Sequence, residues 1–115
     1  MGKNRDRLSI VAAILDAANF GASKTRIMLQ ANLSFGLLEK YLEIAVNAGF
    51  IAPNNGKYNL TEHGKNFYRE YKHFYERYDK AQRILESLDS ERDRLARLCN
   101  RYGLPETMKT EIDAE

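Results

Sequence analysis

Apolar residues recur at helical spacing near the start of the chain. Ile10, Val11, Ile14, Leu15 and Ala18 fall on one side of a 3.6-residue repeat, which predicts an amphipathic helix over 7–19. Asn19 and Gly21 both tolerate the left-handed backbone just past a helix, and they are expected to end it. Ser23 is placed to cap a short second helix over 25–31, with Ile27, Met28 and Ala31 inward. Asn32 and Leu33 form the turn. Ser34 is the N-cap of a third helix, with Leu33 and Leu38 at the positions of a hydrophobic staple. That helix runs to about residue 48, buries Leu38, Leu42, Ala45 and one edge of Tyr41, and stops at Gly49.

The period then changes. Residues 50–52 and 57–60 read as short strands around Pro53-Asn54-Asn55-Gly56. Asn-Gly between two such runs predicts a tight hairpin, because both central residues accept positive φ. Pro53 has no N–H for a ladder and is expected at the strand end. Three helices followed by a hairpin, within residues 1–60, is the layout of a winged helix-turn-helix head. The second and third helices are then the helix-turn-helix pair, and the hairpin is the wing.

A second pattern begins at Thr61, a competent N-cap. No helix breaker follows Gly64 until Gly103-Leu104-Pro105. Phe67, Tyr71, Phe74, Tyr78, Ala81, Leu85, Leu88, Arg92, Leu95, Cys99 and Tyr102 alternate spacings of four and three without a slip, and only Arg92 interrupts the apolar stripe. A repeat of 3.5 residues sustained this long describes a left-handed coiled coil. At 1.5 Å per residue, 61–102 would extend roughly 60 Å, more than a small head can cover. The stripe therefore predicts a homodimer with these eleven residues at its interface. Spacing alone leaves the strand direction open. The expected fold class is mainly α: an α+β winged helix-turn-helix head over 1–60, a dimerisation helix over 61–102, and a flexible acidic tail over 103–115.

Composition narrows the function classes. The 115 residues are 43% hydrophobic and 30% charged with only 2 Pro, which fits a folded chain rather than a disordered one. No apolar run reaches the roughly 18 to 20 residues that cross a bilayer, so no membrane partner is expected. The charged start is not followed by a signal-peptide core, and Asp6 stands where myristoylation calls for Ser or Thr. The expected location is the cytoplasm. Cys99 is the single cysteine, which excludes an intrachain disulfide; with His63 and His73 far apart on one helix, no zinc site follows. There is no nucleophile–base constellation and no phosphate-cradling glycine loop. The reading is therefore not an enzyme, with no cofactor, no metal and no small-molecule ligand.

Charge is distributed unevenly. Overall 18 basic residues face 16 acidic ones, giving +2. Residues 1–60 carry 7 Lys/Arg against 4 Asp/Glu, 61–102 carry 10 against 8, and 103–115 carry 1 against 4. A basic body with an acidic tail suits a nucleic-acid binder as well as an ordinary soluble protein.

Position within the head supplies the candidate interface. The third helix of such a head enters the major groove, and its outward residues here are Phe35, Gly36, Leu37, Lys40, Glu43 and Asn47. Ser34 stands at its positive end. Lys24, Thr25 and Arg26 open the second helix, where the duplex backbone passes. Asn55 and Lys57 sit in the wing, and Lys3, Arg5 and Arg7 form a basic arm. Gly36 and Leu37 occupy places where Arg, Asn or Gln would make bidentate base contacts, and Glu39 and Glu43 share the helix. Backbone-dominated binding of double-stranded DNA with low sequence selectivity follows. The alternative is a protein-interaction module in which the winged helix docks a protein partner.

A resemblance adds to this. Lys24-Thr25-Arg26-Ile27-Met28, Ala31-Asn32-Leu33-Ser34, Tyr41-Leu42, Gly49-Phe50-Ile51 and the run 58–65 resemble the small archaeal winged-helix DNA-binding proteins of the Sulfolobus 10a family. The likeness covers 8–66, and beyond it only the heptad pattern and length are similar. It implies a homodimer joined through an antiparallel coiled coil, with two heads held apart. It also implies a nucleoid-associated role in chromatin organisation or transcription regulation. The sequence departs from the family pattern at Gly36 and Leu37 and in the acidic tail.

Overall fold

The computed structural model describes residues 5–101. Lys3 of the expected arm, Tyr102 of the expected stripe and the whole acidic tail lie outside them. The elements, in order, are α1 (Arg7–Ala17), α2 (Lys24–Ala31), α3 (Phe35–Asn47), β1 (Ile51–Asn54), β2 (Lys57–Leu60) and α4 (Glu62–Arg101). The chain divides into two units, 1–74 and 75–115.

In the first unit, each head helix starts at a side-chain cap. The Ser9 amide donates to the Asp6 carboxylate at 2.9 Å. The amides of Arg26 and Leu37 donate to the hydroxyls of Ser23 and Ser34, each at 3.2 Å. These bonds satisfy amides that have no partner inside the helix. α3 closes in a Schellman turn: Phe50 N–H reaches the Ala45 carbonyl at 3.0 Å and Gly49 N–H the Val46 carbonyl at 2.9 Å, with Gly49 at φ +82°. Asn32, at φ 56°, ends α2 in the same way.

α1 is shorter than its pattern suggested, ending at Ala17, and of the two expected terminators only Gly21 takes positive φ. It is also less amphipathic. Ala12 and Ala17 are buried together with Ile10, Val11, Ile14 and Leu15, because small side chains let neighbours close over more than one face. Around it, Ile27, Leu33, Leu38, Leu42, Ala45 and Ile51 complete a core in which Ile14, Leu15 and Ile27 have no exposed surface.

The hairpin pairs Ile51 with Leu60 through Asn54 with Lys57. Asn55 at φ 53° and Gly56 at φ 78° make the expected type I′ turn. Pro53 lies inside β1 rather than at its end, opposite Tyr58. Tyr58 directs its N–H and C=O the other way, to Ala22, at 2.8 and 3.1 Å. The Pro53–Tyr58 pair therefore needs no hydrogen bond, and the missing proline N–H costs nothing.

The core continues into the first turns of α4. Phe67 and Tyr68 pack against it, and Phe67 stacks on Phe50 with centroids 4.4 Å apart. The second unit, in its described part 75–101, is wholly helical. Arg83 pairs with Asp79 at 2.9 Å and Arg92 with Asp89 at 3.5 Å along its surface. Among the described residues, no helix is long and apolar enough to cross a membrane.

Candidate nucleic-acid interface

α2, the turn at 32–34 and α3 form the helix-turn-helix pair, and β1–β2 stands beside them as the wing. The pair is set by local chemistry: two serine caps, one left-handed asparagine, and the apolar residues Ile27, Ala31, Leu38 and Leu42 turned inward. What remains outside is the candidate surface. Thr25, Arg26, Ser34, Phe35, Gly36, Leu37, Lys40, Asn55 and Lys57 are all exposed.

The cations do not form one field. Lys24 is committed to Glu39, its ammonium 2.6 Å from the carboxylate across the α2–α3 pair. The hydrogen bond to Glu39 raises the Lys24 pKa above its ordinary value, so the ammonium stays charged and locally balanced. It also lies 6.0 Å from the Phe35 ring centroid. Arg26 behaves differently. It shares with Lys57 a groove of about 580 Å³, lined also by Asn19, Phe20, Ser23, Gln30 and one carboxylate, Asp16, so two cations face one anion there. Lys40 lies 5.5 Å from the Tyr41 ring centroid on α3. Among the described residues, Arg26, Lys40 and Lys57 form no ion pair. Arg5 is folded back onto the head, its guanidinium donating to the Asn32 carbonyl at 3.1 Å. It thereby neutralises the negative end of α2 rather than reaching outward. The Ser34 hydroxyl is occupied by the Leu37 amide.

Sequence reasoning passed over Phe20. It is 95% exposed beside Arg26 and Lys57, in a loop whose spacing carries no periodic signal. It also passed over Ile84 and Leu98, 62% and 37% exposed, which flank the heptad stripe of the second unit. In that unit Leu85, Leu88 and Leu95 are each more than half exposed, Ala81 and Arg92 are exposed, and Cys99 is half-buried with a free thiol. Tyr78 is exposed there as well, while in the first unit Phe74 is exposed and Tyr71 half-buried.

Comparison with known proteins agrees with this geometry. A family model described as winged helix-turn-helix matches residues 4–80. An uncharacterized protein of Methanocaldococcus jannaschii is 38% identical over 65 residues, which span 56% of this chain and 67% of that one. The crystal structure of Sso10a-2, a DNA-binding protein from Sulfolobus solfataricus, superposes with a TM-score of 0.67 at 23% identity, covering 75% of this chain and 95% of that one. At that identity the likeness speaks for the fold.

Proposed function

Since the chain belongs to the winged helix-turn-helix family, we propose that it binds double-stranded DNA as a homodimer, gripping the phosphate backbone with little sequence selectivity. The carrying observation is the convergence of Arg26 and Lys57 on one groove while Lys40 stands exposed on α3. On this reading one duplex spans both that groove, which α1, α2 and β2 line, and the exposed side of α3. The DNA-binding description of Sso10a-2 supports the same partner. Such a protein serves chromatin organisation or modestly selective transcription regulation in the nucleoid.

The dimer reading draws on the second unit. Leu85, Leu88 and Leu95, each more than half exposed, recur on the seam of a heptad. An apolar stripe at that period is covered most simply by a second copy of itself. The resemblance to the Sulfolobus 10a family favours antiparallel strands.

Salt titration tests the mechanism. Three exposed cations per head and two heads neutralise about six phosphates, which gives a log–log slope of about −5. A flat slope overturns the reading. Exposed Leu29, at 73%, and Phe35, at 62%, favour the protein-docking alternative. No retardation of mixed-sequence DNA at low salt would establish that alternative over this one.

A further inference from the structure

The start of α3 carries an apolar notch whose form nothing inside the protein requires. Gly36 stands in the first turn at ordinary negative φ, and a Cβ built there would meet nothing within 4 Å. Neither backbone strain nor packing demands glycine, which is a poor helix former. On either side of it along the chain lie Phe35, 62% exposed, and Leu37, 40% exposed. Helical geometry sets Phe35 and Leu37 each about 100° around the axis from Gly36, one on either side, so they flank a bare strip of exposed backbone. Glu39 accepts from Lys24, whose ammonium stays near the Phe35 ring, and Lys40, one turn beyond Gly36, is an exposed cation outside that pair. No side-chain hydrogen-bond donor or acceptor is free at these three positions.

On the reading developed above, this is the part of α3 that meets base edges. In the major groove the one apolar feature that distinguishes the bases is the C5-methyl group of thymine, and aliphatic and aromatic side chains contact it. We propose that Phe35 and Leu37 read pyrimidine C5-methyl groups, with Gly36 allowing the helix backbone to approach the bases. The protein then favours thymine-rich duplexes by methyl contact, on top of backbone binding that ignores sequence. The inference rests on the DNA reading under Proposed function, and its test separates the two.

The full chain is titrated by fluorescence anisotropy against one A·T-rich duplex and its twin carrying deoxyuridine at every thymidine. The twin keeps pairing and phosphate charge and lacks only the methyl groups. Affinity for the thymine duplex is expected to be about threefold to tenfold tighter, the range for burying one or two methyl groups. Adding 5-methylcytosine to a G·C-rich duplex should tighten binding in the same direction. Leu37→Ala should bring the thymine-to-uracil ratio toward one. Measurable binding with equal affinity for both twins overturns methyl reading and leaves the DNA reading standing. A ratio that survives in Leu37→Ala and in Phe35→Ala also overturns it, assigning the difference to duplex shape. Failure to bind either twin at low salt overturns both readings.

Discussion

Gly64, in the first turn of α4, presses its α-carbon against the carbonyl of Phe50. A side-chain carbon at Gly64 would fall 2.8 Å from that carbonyl carbon and closer still to its oxygen. The contact is part of a joint. The Thr61 hydroxyl donates to the Gly49 carbonyl at 2.6 Å and accepts the Gly64 amide at 2.9 Å, while the Thr61 amide reaches the Phe50 carbonyl at 2.9 Å. One threonine and one glycine thus tie the end of α3 to the start of α4.

Gly64→Ala cannot be absorbed by a side-chain rotation, since the obstacle is backbone. Overpacking of this kind costs about 1–3 kcal/mol, against the gain that alanine normally brings to a helix. Urea denaturation should show a lower midpoint at an unchanged slope. A variant as stable as the parent would mean that the joint yields freely.

Much of the head is legible in the sequence because its punctuation is local. Ser23 and Ser34 cap the helices they precede, Gly49 and Asn32 end them, and Asn55-Gly56 makes its turn, each through bonds spanning a few residues. What spacing could not convey is decided by packing between distant segments. Lys24 meets Glu39 only because α2 and α3 cross, and Arg5 finds the Asn32 carbonyl only once α1 has folded over α2. Phe67 reads as one more stripe position, yet it stacks on Phe50, since the head core extends past the hairpin into α4. Pro53 reads as a terminator because nothing nearby announces that Tyr58 will turn to Ala22.

Tyr68 offers a probe of that extension. Its hydroxyl donates to the Asp16 carboxylate at 2.7 Å, joining α4 to α1. Burial, and then the hydrogen bond to Asp16, push its pKa from 10.0 up to about 12. A phenol held protonated in the folded state contributes stability that is complete below pH 10 and lost as the pH rises through about 12. Tyr68→Phe should therefore cost about 1 kcal/mol at pH 8, the worth of such a bond, with the gap to the parent narrowing by pH 11. Paired denaturation curves at the two pH values decide it, and a gap that stays constant refutes the assignment.

Arg92 is the charged residue on the predicted seam, and it pairs with Asp89 on its own helix. In a dimeric coiled coil, a charged seam residue lowers stability while fixing register. Arg92→Leu should raise the thermal midpoint by about 4 °C or more, as expected from roughly 1 kcal/mol, and the midpoint should depend on protein concentration. Leu88→Glu should act oppositely and favour monomer in light scattering. If neither substitution changes mass or midpoint, the stripe is not a dimer seam.

The Lys24–Glu39 pair makes the sharpest statement about charge at the interface. While Glu39 holds it, Lys24 presents a balanced pair to an approaching phosphate, whereas Arg26 and Lys57 present net charge from a shared groove. Lys24→Ala removes a cation but leaves the Glu39 carboxylate uncompensated; Glu39→Gln leaves the ammonium available. Under backbone binding, the two substitutions should move affinity in opposite directions, Glu39→Gln tightening it and steepening the salt slope by about 1 per head. Arg26→Ala should weaken binding to every duplex alike and make the slope shallower by a similar amount. Affinities measured at three salt concentrations resolve these differences. If Glu39→Gln weakens binding, the carboxylate is itself a contact, and the start of α3 reads bases by accepting hydrogen bonds instead of letting phosphate charge dominate.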